Sequence, residues 1–238
     1  MKRENFKGFT LAEVLITLGI IGIVAAMTIP TLVNNYQKQE YVTALKKFYT
    51  TTNTALKAMA ADNGCPGDLS CIKETGTYEL ENEFASYFKV AKNCQKSAGA
   101  GCFASKTPDH YEPTSGEAVA TLGNGFFYTF STLDGISVAA NIYDNCTYYP
   151  TISGPMQKLC GTIIVDVNGP KVPNRYGRDT FMFYLTNGTG PMLYPEGGQI
   201  ANGIGESWWK NDNGCTSTNT KGTACAGRII EEGWQMNY

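Results

Sequence analysis

Lys7-Gly8-Phe9-Thr10-Leu11-Ala12-Glu13 opens an apolar run that reaches Val33, and Glu13 is the single charge inside that run. A bilayer is crossed by about 20 apolar helical residues, so the run is long enough. A carboxylate held in hydrocarbon costs about 2.5–3.5 kcal/mol on insertion scales and therefore requires a partner. Lys7-Gly8 offers a place to cut, and scission between Gly8 and Phe9 would create an amine at Phe9. That amine would lie about one helical turn from Glu13, or from the Glu13 of a neighbouring copy. Lys2, Arg3 and Lys7 precede the run against Glu4 alone. The excess of positive charge places the N-terminus in the cytoplasm and everything after Val33 outside it.

Downstream, the composition turns polar while a helical period persists. Tyr41/Val42, Leu45, Phe48/Tyr49, Thr52, Ala55/Leu56 and Met59 recur at steps of three or four, with Lys38, Glu40, Lys46, Lys47 and Lys57 between them. This is the pattern of an amphipathic helix with one stripe buried. Asn63-Gly64 supplies its stop, since either residue adopts the left-handed conformation after a helix. A helix from Thr10 to Asp62 would measure roughly 80 Å. Pro30 removes a backbone donor and is expected to bend or loosen it. Gly19 and Gly22 lie on nearby turns, where small residues let helices approach in lipid, although glycine is also common in membrane helices.

Beyond residue 63 the chain reads as a head. A helix is expected over Tyr78–Ala91, from Leu80, Phe84, Tyr87/Phe88 and Ala91. Gly125–Phe130 and Ile136–Tyr143 flank Asp134-Gly135 as a hairpin. Thr162–Val167 and Thr180–Thr186 form a second strand pair, and Met192–Tyr194 a short edge. Pro195–Thr223 is rich in Gly, Asn and Thr and reads as loops; Ala226–Gly233 reads as a last helix that sets Ile229, Ile230 and Trp234 on the core. The expected class is α+β: a long N-terminal helix, half transmembrane and half amphipathic, packed on a small antiparallel sheet with disulfide-linked loops. Its segments are a leader at 1–8, a transmembrane half at 9–33, an amphipathic half at 34–63 and a head at 64–238.

All 8 cysteines of the 238 residues lie beyond the apolar run, as suits an oxidising compartment. Their clustering suggests local loops: Cys65 with Cys71, Cys94 with Cys102, Cys146 with Cys160, and Cys215 with Cys225. Zinc is the weaker account, because no Cys-x-x-Cys occurs and His110 stands alone. A net charge of -2 offers no face-wide basic excess, so nucleic acid is not an expected partner.

The leader and first helix resemble those of type IV prepilins and the pseudopilins of type II secretion. The resemblance rests on Gly8, Phe9, Thr10, Leu11 and Glu13, with Pro30 where that family often carries a bending proline, and it covers roughly residues 1–60. It implies cleavage by a prepilin peptidase between Gly8 and Phe9 and methylation of the Phe9 amine. It also implies assembly through Glu13 and Pro30 with other pilin or pseudopilin subunits, on an inner-membrane assembly platform and out of the lipid bilayer. The implied location is the bacterial inner membrane and then a pilus or pseudopilus, with no enzyme activity. The rival reading is a single-pass anchor for an extracytoplasmic binding protein or enzyme.

Other candidates are weaker. Asp166-Val167-Asn168-Gly169 and the later Asp179 would suit calcium, which prefers oxygen ligands, but turn chemistry explains Asn-Gly with Pro170 and Pro173 as well. No cofactor is otherwise expected. His110 lies in a polar loop without the motifs that accompany a catalytic histidine. Gly197-Gly198 and Gly203-x-Gly205 lack the lysine of a phosphate loop. Trp208-Trp209-Lys210 is either an exposed contact or a packed pair.

Overall fold

The computed structural model describes residues 10–72, 79–95, 101–104, 127–150, 154–171, 174–187, 191–198, 208–210, 215 and 222–238. Helix α1 runs from Leu11 to Asp62. It continues through Pro30, whose missing N–H leaves the carbonyl four residues earlier without its helical donor. The stop after Asp62 is a Schellman motif. Gly64, at φ 77°, donates to the Ala61 carbonyl and Cys65 donates to that of Ala60, both at 2.9 Å. The chain divides into two compact units, Met1–Glu40 and Tyr41–Tyr238.

In the first unit the large apolar side chains from Leu11 to Val33 are exposed. This stretch makes α1 the one helix among the described residues that is long and apolar enough to cross a membrane. In the second unit, α1 buries Tyr41, Val42, Leu45, Phe48, Thr52, Ala55, Leu56, Met59 and Ala60. These are one stripe of a 3.6-residue helix, and they pack on a sheet.

The sheet has six strands in sequence order: β1 (Val90–Gln95), β2 (Tyr128–Thr132), β3 (Ser137–Tyr148), β4 (Lys158–Asp166), β5 (Thr180–Thr186) and β6 (Leu193–Pro195). Every neighbouring pair is antiparallel. Alternation along each strand sorts the side chains. Val138, Ala140, Ile163, Val165, Phe181, Phe183, Leu185 and Leu193 join the α1 stripe, whereas Ala139 and Ile164 face the other way, into a smaller cluster with Phe103, Phe127 and Tyr176. Apolar Ile163-Ile164-Val165 is thus buried on both faces. Helix α2 (Glu79–Ser86) adds Leu80 and Phe84 to the main core, and helix α3 (Cys225–Glu231) adds Ala226 and Ile229.

Some element boundaries differ from the sequence reading. The helix expected over Tyr78–Ala91 ends at Ser86, and Ala91 lies in β1. The helical period misled because Phe88 still faces the core after the chain turns; its ring lies 5.0 Å from that of Phe84 and 5.5 Å from that of Phe130. The β2–β3 connection is a type I turn closed by Gly135 N–H on the Thr132 carbonyl at 3.0 Å, with Gly135 left-handed at φ 84°. β3 extends beyond Tyr143 and β4 starts before Thr162 because pairing resumes at Thr147↔Leu159 after an irregularity. There Gly161 is required: a Cβ on it would stand 2.4 Å from the Asn141 carbonyl oxygen of β3.

Disulfides join Cys65 to Cys71, Cys94 to Cys102, Cys146 to Cys160 and Cys215 to Cys225. The third crosses from β3 to β4, and the fourth ties residue 215 to α3.

Candidate functional site

The helix start is built by Thr10 and Glu13. The Thr10 backbone N–H and hydroxyl donate to Glu13 Oε2 at 2.8 and 2.7 Å, and the Glu13 backbone N–H returns a bond to Thr10 Oγ1 at 3.3 Å. This is a capping box, in which threonine and glutamate three residues apart satisfy each other's orphan donors at a helix N-terminus. Its signal, Thr-x-x-Glu before an apolar run, is present in the sequence but was not read there as a cap. Thr17 donates its hydroxyl back to the Glu13 carbonyl at 2.9 Å, which keeps a polar side chain satisfied inside an apolar helix. Gly8 and Phe9 lie outside the described residues. Among the described residues, nothing stands within 4 Å of a Cβ placed on Gly19 or Gly22, so both leave open surface on the helix.

The acidic residues named for calcium are brought together. Asp166 ends β4 and Asp179 precedes β5, and both are fully buried. Asp166 Oδ1 accepts the Asn168 N–H at 3.2 Å. Asp179 Oδ2 accepts the Asn174 N–H at 2.8 Å and the Asn168 side-chain amide at 3.1 Å, and its Oδ1 accepts the Arg175 N–H at 2.6 Å. The tight fit extends to Gly169 (φ 70°), where a Cβ would stand 2.5 Å from the Gly135 carbonyl oxygen. Burial pushes the Asp166 carboxyl up to about 9, and the neighbouring Asp179 charge pushes the same way. Burial also raises Asp179, against three backbone N–H groups that favour its charged form. Among the described residues, no lysine or arginine forms an ion pair with either acid.

Of the aromatic pair, Trp209 is packed. Its indole N–H donates to Glu231 of α3 at 2.5 Å, and the Arg228 guanidinium lies 5.0 Å from its ring and 5.0 Å from that of Tyr238. Arg228 also donates to the Cys215 carbonyl at 2.6 Å, so the group fastens the residue 215 segment to α3. The Trp208 side chain, His110, Pro173, Gly203 and Gly205 lie outside the described residues. Asp134 is a turn residue bonded to Lys47 Nζ at 2.7 Å and to the Thr132 hydroxyl.

No curated protein and no solved structure matches the chain. A protein-family comparison does match at the N-terminus: residues 3–29 carry the prokaryotic N-terminal methylation motif, the cleavage and methylation signal of type IV pilins and pseudopilins.

Proposed function

We propose that this protein is a structural, pilin-like subunit, processed between Gly8 and Phe9 and assembled through α1 into a type IV pilus or a type II secretion pseudopilus. One observation carries the reading: the methylation motif leads into a helix whose apolar side chains from Leu11 to Val33 are exposed. Such a surface is stable in lipid, or against parallel copies of the same helix, and in neither case in water. Peptidase cleavage removes residues 1–8, the Phe9 amine is methylated, and Glu13 then neutralises the amine of an adjacent subunit as it leaves the bilayer. Pro30 gives the helix a place to adjust in the packed filament. The basic leader sets the N-terminus in the cytoplasm, and the disulfide-bonded head lies outside. Partners are sister subunits, a prepilin peptidase, an inner-membrane assembly platform and the bilayer. The chain is the substrate of the processing chemistry and not its catalyst.

Shearing intact cells tests assembly. The protein is expected in the sheared, high-molecular-weight fraction when the prepilin peptidase is present and only in membranes when it is deleted. Recovery in membranes alone in both strains contradicts assembly.

A second reading is favoured by the Thr10–Glu13 capping box. That bond gives Glu13 a duty within its own chain, as it would have in a simple membrane anchor for an extracytoplasmic binding protein or enzyme.

A further inference from the structure

The face of the sheet turned away from α1 carries a polar row. Asn141, Thr162, Tyr184 and Tyr194 stand directly opposite one another across β3, β4, β5 and β6. Directly opposed residues share a face, and their chain neighbours Ala140, Ile163, Leu185 and Leu193 point the other way, into the main core. Asn141, Tyr184 and Tyr194 are half-buried, so the row is open in part. Glu196, just after β6, is held beside it. Its backbone N–H donates to the Met182 carbonyl at 3.0 Å, and its carbonyl accepts the Gly227 N–H at 2.8 Å. Gly198 then runs against the Tyr194 ring, where a Cβ would stand 2.9 Å away. The Glu196 side chain reaches the row itself. One carboxyl oxygen accepts the Tyr184 hydroxyl, while the other, Oε2, has no hydrogen-bond partner although the residue is only 7% exposed. Leaving such an atom unsatisfied costs about 1–3 kcal/mol, so the site is short of one partner. Burial raises the Tyr184 hydroxyl, and the neighbouring Glu196, Tyr143 and Tyr149 push it the same way, which gathers three tyrosines about one carboxyl.

We propose that this outer face binds a neutral saccharide, with tyrosine rings against the C–H faces of the sugar and Glu196 paired with one of its hydroxyls. Tyrosine joins a broad apolar surface to a polar tip, and small-ligand sites combine such aromatic walls with a few placed polar groups. Neutrality follows from Glu196. Among the described residues no lysine or arginine forms an ion pair with it, and burial favours its uncharged form. An uncharged carboxyl offers a donor and an acceptor, and a sugar hydroxyl offers the same two. An anionic ligand would meet a carboxyl where it needs a base, and a cationic one would require the buried group to ionise. Asn141 adds an amide at the far end of the row, with two donors and an acceptor for further hydroxyls. The inference does not depend on how the chain assembles.

Titration calorimetry of the full chain in a polyoxyethylene detergent, which carries no sugar, against maltotetraose, cellotetraose and chitotetraose is the test. Saturable binding of at least one is expected, with a Kd of about 1 mM or tighter. Glu196→Leu should weaken it about tenfold or more, as the loss of a hydrogen-bonded group does. Glu196→Gln, which still offers donors and an acceptor, should bind within about threefold of wild type. Tyr184→Phe, which keeps the ring and loses the hydroxyl, should weaken binding severalfold, and it decides the matter if Glu196→Leu does not fold. Absence of saturable binding by all three sugars, or wild-type affinity in a folded Glu196→Leu or Tyr184→Phe chain, overturns the proposal. Displacement of the sugar by tetramethylammonium chloride also overturns it, and would assign the tyrosines to an organic cation.

Discussion

At Glu13 the helix cap and the proposed intersubunit ion pair draw on the same carboxylate oxygens, and two substitutions separate them. Glutamine serves as well as glutamate at this position of a capping box, so Glu13→Gln keeps the helix start and removes only the charge. If the charge meets a neighbour's amine, incorporation into sheared filaments should fall to about a tenth or less, the equivalent of 1.4 kcal/mol. Glu13→Ala should do at least the same damage. In both variants membrane insertion becomes easier and cleavage after Gly8 continues, because residue 13 lies beyond the scissile bond. A glutamine variant that assembles normally, beside an alanine variant that does not, would assign Glu13 to capping alone. Glu196 offers a test in the head. Burial holds its carboxyl above the usual range, against the Tyr184 hydroxyl, and Glu196 Oε2 has no hydrogen-bond partner. A raised folded-state value means that its contribution is full below the unfolded pKa and is lost as pH rises through the folded one. Glu196→Gln should therefore melt like wild type near pH 4 and above it at pH 8. Equal shifts at both values would contradict this.

At the level of elements, the long helix was legible because a stripe at steps of three or four, followed by Asn63-Gly64, admits few other structures. The β-hairpins were legible from β-branched and aromatic runs around turn residues. What stayed hidden was where a run stops when its side chains keep pointing at the core, as Phe88 does after α2. Also hidden was pairing carried by polar residues, as in the outer part of β3, where Asp144 and Asn145 are exposed. That outer part depends on Gly161 and on the Cys146–Cys160 bridge. Gly161→Ala should lower the unfolding free energy by about 1–3 kcal/mol, as forced overpacking does, and more if the backbone of β3 cannot yield. Replacing Cys146 and Cys160 by serine should cost about 3 kcal/mol, as for a loop of this length, whose ends are 14 residues apart. Denaturant unfolding monitored by tryptophan fluorescence measures both. A change within error for either variant would show that this end of the sheet adds nothing to stability.

Across the whole chain, physical logic divides at Glu40. Before it, the large apolar side chains from Leu11 to Val33 face outward, so they need lipid or other copies of the chain; the residues after it enclose their own apolar surface. Under the proposed function, the first unit's purpose is legible in five residues, Gly8, Phe9, Thr10, Leu11 and Glu13, because a processing enzyme must read a short linear signal. The sequence announced the head's architecture but not its buried polar contacts. The acidic pair shows why: Asp166 and Asp179 are 13 positions apart, and only the antiparallel return of β5 beside β4 sets Thr180 against Asp166. Whether the chain is a processed pilin-like subunit is read from the intact mass of protein extracted from membranes. A mature chain that lacks residues 1–8, begins at Phe9 and carries one added methyl group on its amine is expected, with the unprocessed chain accumulating when the peptidase is absent. A chain that retains its leader while the peptidase is active, or one cut after Ala26, would contradict it.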